Sequence, residues 1–147
     1  MALPPWLIKL GVPEQCVERK SSASEHSRSI ELKVPRDTLV LRVRVDNCWF
    51  SDSGDKKVDY LFCVQRAEDD WELILVELKG KDFGTALAQI ARTIDRIGKL
   101  PTRLRLCRAA VVLSNGNRVP SYAKQVEQLR RRGILVTAKS QRLEMSV

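Results

Sequence analysis

Leu73-Ile74-Leu75-Val76-Glu77-Leu78-Lys79 is an almost unbroken apolar run that closes with an acid and a base. A run this short, continuous rather than alternating, fits a strand covered on both faces at the centre of a sheet. Its two charged residues are two apart, so on a strand they share one face. A charge in such a place is costly unless something compensates it, which makes Glu77 and Lys79 the residues to explain. Upstream, Val58-Asp59-Tyr60-Leu61-Phe62-Cys63-Val64 is a second run of the same kind, with Asp59 as its one charged member. If the two strands are neighbours, Asp59 projects beside Glu77 and Lys79, and two carboxylates meet an ammonium.

Working outward, Leu39, Leu41, Val43 and Val45 alternate with Val40, Arg42, Arg44 and Asp46, the period of a strand with one covered face. Ile30 to Val34 reads as a shorter strand. Ser21 to Ser29 is serine-rich and nearly free of apolar residues, and so reads as a loop. Residues 47–57 read as a turn-rich connection. Asp82 or Thr85 can cap a helix to about Ile97, with Ala86, Leu87, Ile90, Ala91, Ile94 and Ile97 on one side, and Gly98 and Pro101 end it. A strand from Leu106 to Leu113 follows, then a turn at residues 114–117 and a helix from Pro120 to Arg132. That helix turns Tyr122, Ala123, Val126 and Leu129 inward, with Gly133 at its C-cap. Strands at Ile134 to Thr137 and Arg142 to Val147 complete the chain. Short helices are expected at Pro4 to Leu10 and from Pro13 to about Lys20. The order indicates an α/β fold, a three-layer sandwich with a central mixed sheet flanked by helices, in one domain spanning residues 1–147.

The 147 residues are 44% apolar and 30% charged, a globular usage that excludes collagen-like, coiled-coil and generally disordered chains. No apolar run approaches the ~18 residues of a membrane span, so no membrane partner is expected. The start, broken by Pro4-Pro5 and without a basic region before its apolar stretch, does not read as a secretion signal. Cys16, Cys48, Cys63 and Cys107 lie far apart with no C-x-x-C pair, as separate thiols of a reducing compartment would. A cytoplasmic protein is the expectation. His26 is the only histidine, which excludes histidine-rich metal sites and limits any Ser-His-Asp triad to that residue.

The 26 Lys and Arg against 18 Asp and Glu give a net charge of +8, with a pI near 9.6. Such an excess favours polyanions, and nucleic acid leads that class. Arg92, Arg96 and Lys99 on the first long helix, and Lys124, Arg130, Arg131 and Arg132 on the second, are spaced to neutralise backbone phosphates without reading bases. Arg103, Arg105 and Arg108 lie between the helices. Trp6, Trp49 and Trp71 are too scattered for a stacking platform and read as packing.

Two carboxylates and a lysine have a clear chemical use together. Carboxylates are hard oxygen ligands for Mg²⁺ or Mn²⁺, and such a cation lowers the pKa of a bound water. A lysine beside it can orient that water or offset charge on the transferring phosphoryl oxygens. An isolated E-x-K tripeptide is common; here Asp59 precedes it on its own apolar strand, and Glu77-Leu78-Lys79-Gly80 leads straight into an amphipathic helix.

These residues, in this order, resemble the PD-(D/E)XK nuclease superfamily with its restriction-endonuclease-like fold. They are most similar to small members such as Holliday-junction resolvases and the nuclease modules of recombination and defence proteins. The resemblance covers Thr38 to Leu113, about half the chain, and implies the core order αβββαβ. It implies a Mg²⁺- or Mn²⁺-dependent nuclease acting on DNA, with RNA as the other possible nucleic-acid partner. Asp59, Glu77 and the carbonyl of Leu78 would bind the metal, and Lys79 would be the catalytic lysine. Gln89 falls where many members carry a glutamine, whereas Thr93 stands where one subgroup has tyrosine, and Val58 where many have proline. An acid on the first helix completes the metal shell in many members; Glu18 is the choice here, with Glu14 and Glu25 as rivals. A chain this small would cut both strands of a duplex as a homodimer. A non-catalytic nucleic-acid-binding or assembly module on the same fold is the competing expectation.

Overall fold

The structure, a computed structural model, describes residues 1–52, 54, 57–80, 82–114 and 122–147, with the backbone alone at residues 79 and 80. Among the described residues three α-helices, α1 (Pro5–Lys9), α2 (Phe83–Ile97) and α3 (Ala123–Arg131), accompany nine strands. The strands are β1 (Val17–Glu18), β2 (Ser22–Glu25), β3 (Arg28–Lys33), β4 (Val40–Arg44), β5 (Tyr60–Ala67), β6 (Asp70–Gly80), β7 (Leu104–Leu113), β8 (Leu135–Ser140) and β9 (Arg142–Ser146). Six of them form one sheet in the order β1-β4-β5-β6-β7-β8. It is mixed: β5 runs antiparallel to both of its neighbours, β4 and β6, whereas β6, β7 and β8 run parallel.

The two apolar runs lie side by side at its centre, and β6 separates two cores by strict alternation. Leu73 and Leu75 pack with α2 on one face, and Ile74, Val76 and Leu78 pack on the other. The parallel steps β6-α2-β7 and β7-α3-β8 advance across the sheet in the same direction. Two crossovers of one hand and one direction leave both helices on one face, and the core there holds Ala86, Leu87, Ile90 and Leu129. Ala123, expected inward, is exposed.

The opposite face is covered by a three-stranded sheet, β2-β3-β9, instead of the expected helix layer. Ile30, Leu32, Leu143 and Met145 are its contribution to the second core. The expected loop at Ser21 to Ser29 is in fact β2 and the turn into β3. Ala23 alone points inward while Ser22 and Ser24 face solvent, so the strand carries too little apolar signal to be read. His26 and Ser27 take φ of 50° and 65°, as a two-residue hairpin turn requires, without the Gly or Asn that normally announces one. The expected helix from Pro13 is one 3₁₀ turn at Glu14–Cys16. The chain then extends because Val17 pairs with Val43 at the sheet edge.

Cys16 and Cys48 form a disulfide across 32 residues of sequence. This corrects the reading of four separate thiols and removes its premise for a reducing compartment; Cys63 and Cys107 remain free. The two sulfurs meet because the 3₁₀ turn packs against the connection between β4 and β5, a contact that spacing along the chain does not encode. Among the described residues no helix is long and apolar enough to cross a membrane.

Candidate functional site

Asp59 stands one residue before β5. In the antiparallel pairing Tyr60 faces Val76 and Leu61 faces Leu75. Asp59 donates its N–H to the Val76 carbonyl at 3.1 Å, and its Oδ2 accepts the Leu78 N–H at 2.8 Å. It is therefore bonded to the residues on both sides of Glu77. Both acids are withdrawn from water, Asp59 at 4% and Glu77 at 2% exposure. Glu77 follows the alternation of Leu73 and Leu75 and so belongs to the helix-covered face. Leu78 turns its side chain into the opposite core while its main chain passes the carboxylates.

The β6–β7 register shifts between Glu77 and Gly80, where Glu77 faces Val111 and Gly80 faces Leu113. Three steps on β6 thus answer two on β7, a bulge of the kind that re-aims side chains beside functional sites. It falls within Leu78-Lys79. The side chain of Lys79 lies outside the described residues.

What presents Asp59 is the connection from β4, and α2 holds it. Asp82 caps that helix by accepting the Gly84 N–H and the Thr85 hydroxyl, each at 2.9 Å. One line of side chains on α2 then reaches the connection. Gln89 Nε2 donates to the Lys57 carbonyl at 3.2 Å. Thr93, 1% exposed, accepts the Val58 N–H at 3.2 Å and donates to the Gln89 carbonyl at 2.7 Å. Arg96 grips Asp52 through two contacts of 2.9 and 2.5 Å and lies 4.4 Å over the Phe50 ring. The hydrogen bond from Arg96 holds the Asp52 carboxyl down at about 2. Lys57 is buried as well, and its ammonium donates to the Asp52 carbonyl. The disulfide at Cys48 pins the far end of the same connection.

Gln89 therefore positions the connection two residues from Asp59. Thr93, Asp52 and Lys57 were not read as site residues from the sequence, although one signal exists. Ala86, Ile90, Thr93 and Ile97 fall on one helical stripe, and a hydroxyl inside an apolar stripe needs a partner.

Glu18 is not brought to the pair. It lies on the edge strand β1, with β4 and β5 between it and β6, and is bound to Arg42 at 3.0 Å and Lys20 at 3.5 Å. The hydrogen bond from Arg42 lowers its pKa. Glu14 pairs with the terminal amine at 3.5 Å and Glu25 with Arg44 at 3.8 Å. Among the described residues no three His, Cys, Asp or Glu side chains gather as a metal group.

The helix cations divide. Arg96 is held by Asp52, Arg130 and Arg131 by Glu127, and Arg132 by Asp95. Arg92, Lys99 and Lys124 take part in no ion pair among the described residues. Adjacent buried carboxylates are hard oxygen donors, and Mg²⁺ takes one or two carboxylates while completing its shell with water and phosphate oxygens. Asp59 and Glu77 fit that cation without a third acid. No family model, curated protein or solved structure matches the chain.

Proposed function

We propose that this chain is a metal-dependent nuclease that hydrolyses phosphodiester bonds in DNA, on the restriction-endonuclease-like plan of the PD-(D/E)XK superfamily with its αβββαβ core. The observation that carries the reading is the hydrogen bonding of Asp59 to both neighbours of Glu77, which sets two buried carboxylates together at one end of the central strands. Two carboxylates at one end of the central strands are hard oxygen donors, the ligand type a divalent cation such as Mg²⁺ prefers.

Asp59 and Glu77 would hold Mg²⁺ or Mn²⁺, with the Leu78 carbonyl as a further oxygen ligand. A cation held there would polarise a phosphate oxygen and lower the pKa of a coordinated water. Leu78 N–H fixes Asp59 Oδ2, so the carboxylate is oriented before a ligand arrives and reorganises little on binding. Gln89 and Thr93 keep the connection in place behind it. Lys79 serves the attacking water and the charge developing on the phosphoryl oxygens. Residues near the site make no base-reading motif, so sequence preference is weak and binding is largely electrostatic.

The test is cleavage of linear, circular, single-stranded and branched DNA with Mg²⁺ or Mn²⁺. Lys79→Ala should lower cleavage by ~10²–10³-fold, the loss seen when one preorganised donor is removed from an active site, while duplex affinity changes little. Cleavage at the parent rate by Lys79→Ala would remove that residue's role. Failure of the unsubstituted protein to cut any substrate would favour a binding or assembly module on the same fold.

A further inference from the structure

The turn from β2 to β3 reaches the same end of the central sheet as the carboxylate pair. Arg28 Nη1 donates to Ser114 Oγ at 2.7 Å, one residue past Leu113, which faces Gly80 on β6. Arg28 follows the alternation of Ile30 and Leu32, so it points toward the central sheet from the layer opposite the helices. Its Nε is buried with no hydrogen-bond partner, and no carboxylate pairs with it among the described residues. A donor left unsatisfied beside an apolar core costs folding free energy, and since Arg28 as a whole is only partly buried, an outside anion would meet its terminal amino groups.

The neighbouring turn from β8 to β9 extends the feature. Gln141 stands in the left-handed region at φ 65°, donates its N–H to Leu113 and accepts the Ser29 N–H, each at 2.9 Å. Both turns are thereby locked to the end of β7. Lys139 and Arg142 line an open concavity of about 470 Å³ there, with Ser140, Gln141 and Glu144. Lys139 is exposed with no ion-pair partner among the described residues, and Arg142, two-thirds exposed, is paired with Glu144 at 2.8 Å.

We infer that Arg28 and Lys139, flanked by the Glu144-paired Arg142, form the phosphate-holding lip of the candidate cleavage site. The nucleic-acid backbone then crosses the strand ends on the side of β2-β3-β9 instead of running along α2 and α3, where carboxylates already neutralise Arg96, Arg130, Arg131 and Arg132. The inference rests on the nuclease reading and adds a location to it.

The experiment is binding of a short blunt-ended DNA duplex across a salt series, with Ca²⁺ replacing Mg²⁺ so that the substrate survives. Arg28→Ala is expected to lower affinity ~10-fold and to reduce the salt slope by about 1, as loss of one phosphate contact does. Ser114→Ala, which removes the tether and leaves the guanidinium, should bind as the parent does. Lys139→Glu with Arg142→Glu, both on the surface and so harmless to folding, should weaken binding further, whereas Lys99→Glu with Lys124→Glu should not. Parent-like affinity and slope in both lip variants would overturn the lip while leaving cleavage by the parent, and the nuclease reading, intact. Loss of binding in the helix variants alone would overturn it too. A parent that neither binds nor cuts would overturn the nuclease reading and the lip with it.

Discussion

Glu72 and Glu77 lie five residues apart on the same strand and are treated in opposite ways. Glu72 sits near the start of β6 within reach of three guanidinium groups, Arg66 at 3.2 Å, Arg108 at 3.5 Å and Arg105 at 3.7 Å. Despite the cost of its partial burial, these arginines keep its pKa low. Glu77, near the other end, is withdrawn from solvent beside a second carboxylate. Folding alone explains the first arrangement, since opposite charges at a sheet margin are ordinary structural chemistry. The second arrangement withdraws two carboxylates from water at the strand ends, where the proposed cation site lies. The difference is between an acid surrounded by arginines and acids that the proposed reading assigns to metal binding.

The largest expected effect breaks this comparison directly. Glu77→Gln and Asp59→Asn should each lower metal-dependent cleavage by at least ~10²-fold while thermal melting without metal changes little, because the amides keep the shape of the side chains. Glu72→Ala should do the reverse, keeping the cleavage rate and losing about 1 kcal/mol in chemical denaturation, a modest figure because its partners are partly exposed.

Next in size is the disulfide. Its closed loop of 32 residues should make the oxidised protein ~2–4 kcal/mol more stable than Cys48→Ser in denaturant, and equal midpoints for the two would show that the bond is not formed in solution. Thr93→Val keeps the shape of the side chain but deprives the buried Val58 N–H of its acceptor. A loss of ~1–3 kcal/mol is expected, with reduced cleavage because Asp59 is one residue away; full activity would mean that the α2 contact does not position the carboxylate.

The smallest effect is in acid. The Asp52 pKa is lowered from 3.8 to about 2 by Arg96, so its stabilising contribution is complete above the unfolded value and is lost as pH falls toward 2. Asp52→Asn should flatten that limb of the stability profile, measured by melting at a series of acid pH values, and leave the profile near neutrality unchanged.

The central strands and the meeting of Asp59 with Glu77 were legible because burial on both faces leaves a continuous apolar run in which a charge stands out. The α2 stripe was legible for the same reason, its period. What escaped depends on partners far along the chain. The strand at Ser22–Glu25 buries only Ala23, so its existence comes from pairing with β3 rather than from its own composition. Cys16 and Cys48 meet through packing. Cations on α2 and α3 read as a free phosphate track, yet Asp52, Asp95 and Glu127 occupy most of them, and charge counted along a sequence does not reveal which acids lie across from it. The expectation for Glu18 rests on a first helix that here is a 3₁₀ turn and an edge strand.

Titration of Mn²⁺ into the protein by calorimetry asks whether Asp59 and Glu77 make one divalent-cation site. One site is predicted in the parent and in Lys79→Ala, with binding lost or severely weakened in both Asp59→Asn and Glu77→Gln. Parent-like Mn²⁺ binding in those two carboxylate variants would contradict the account.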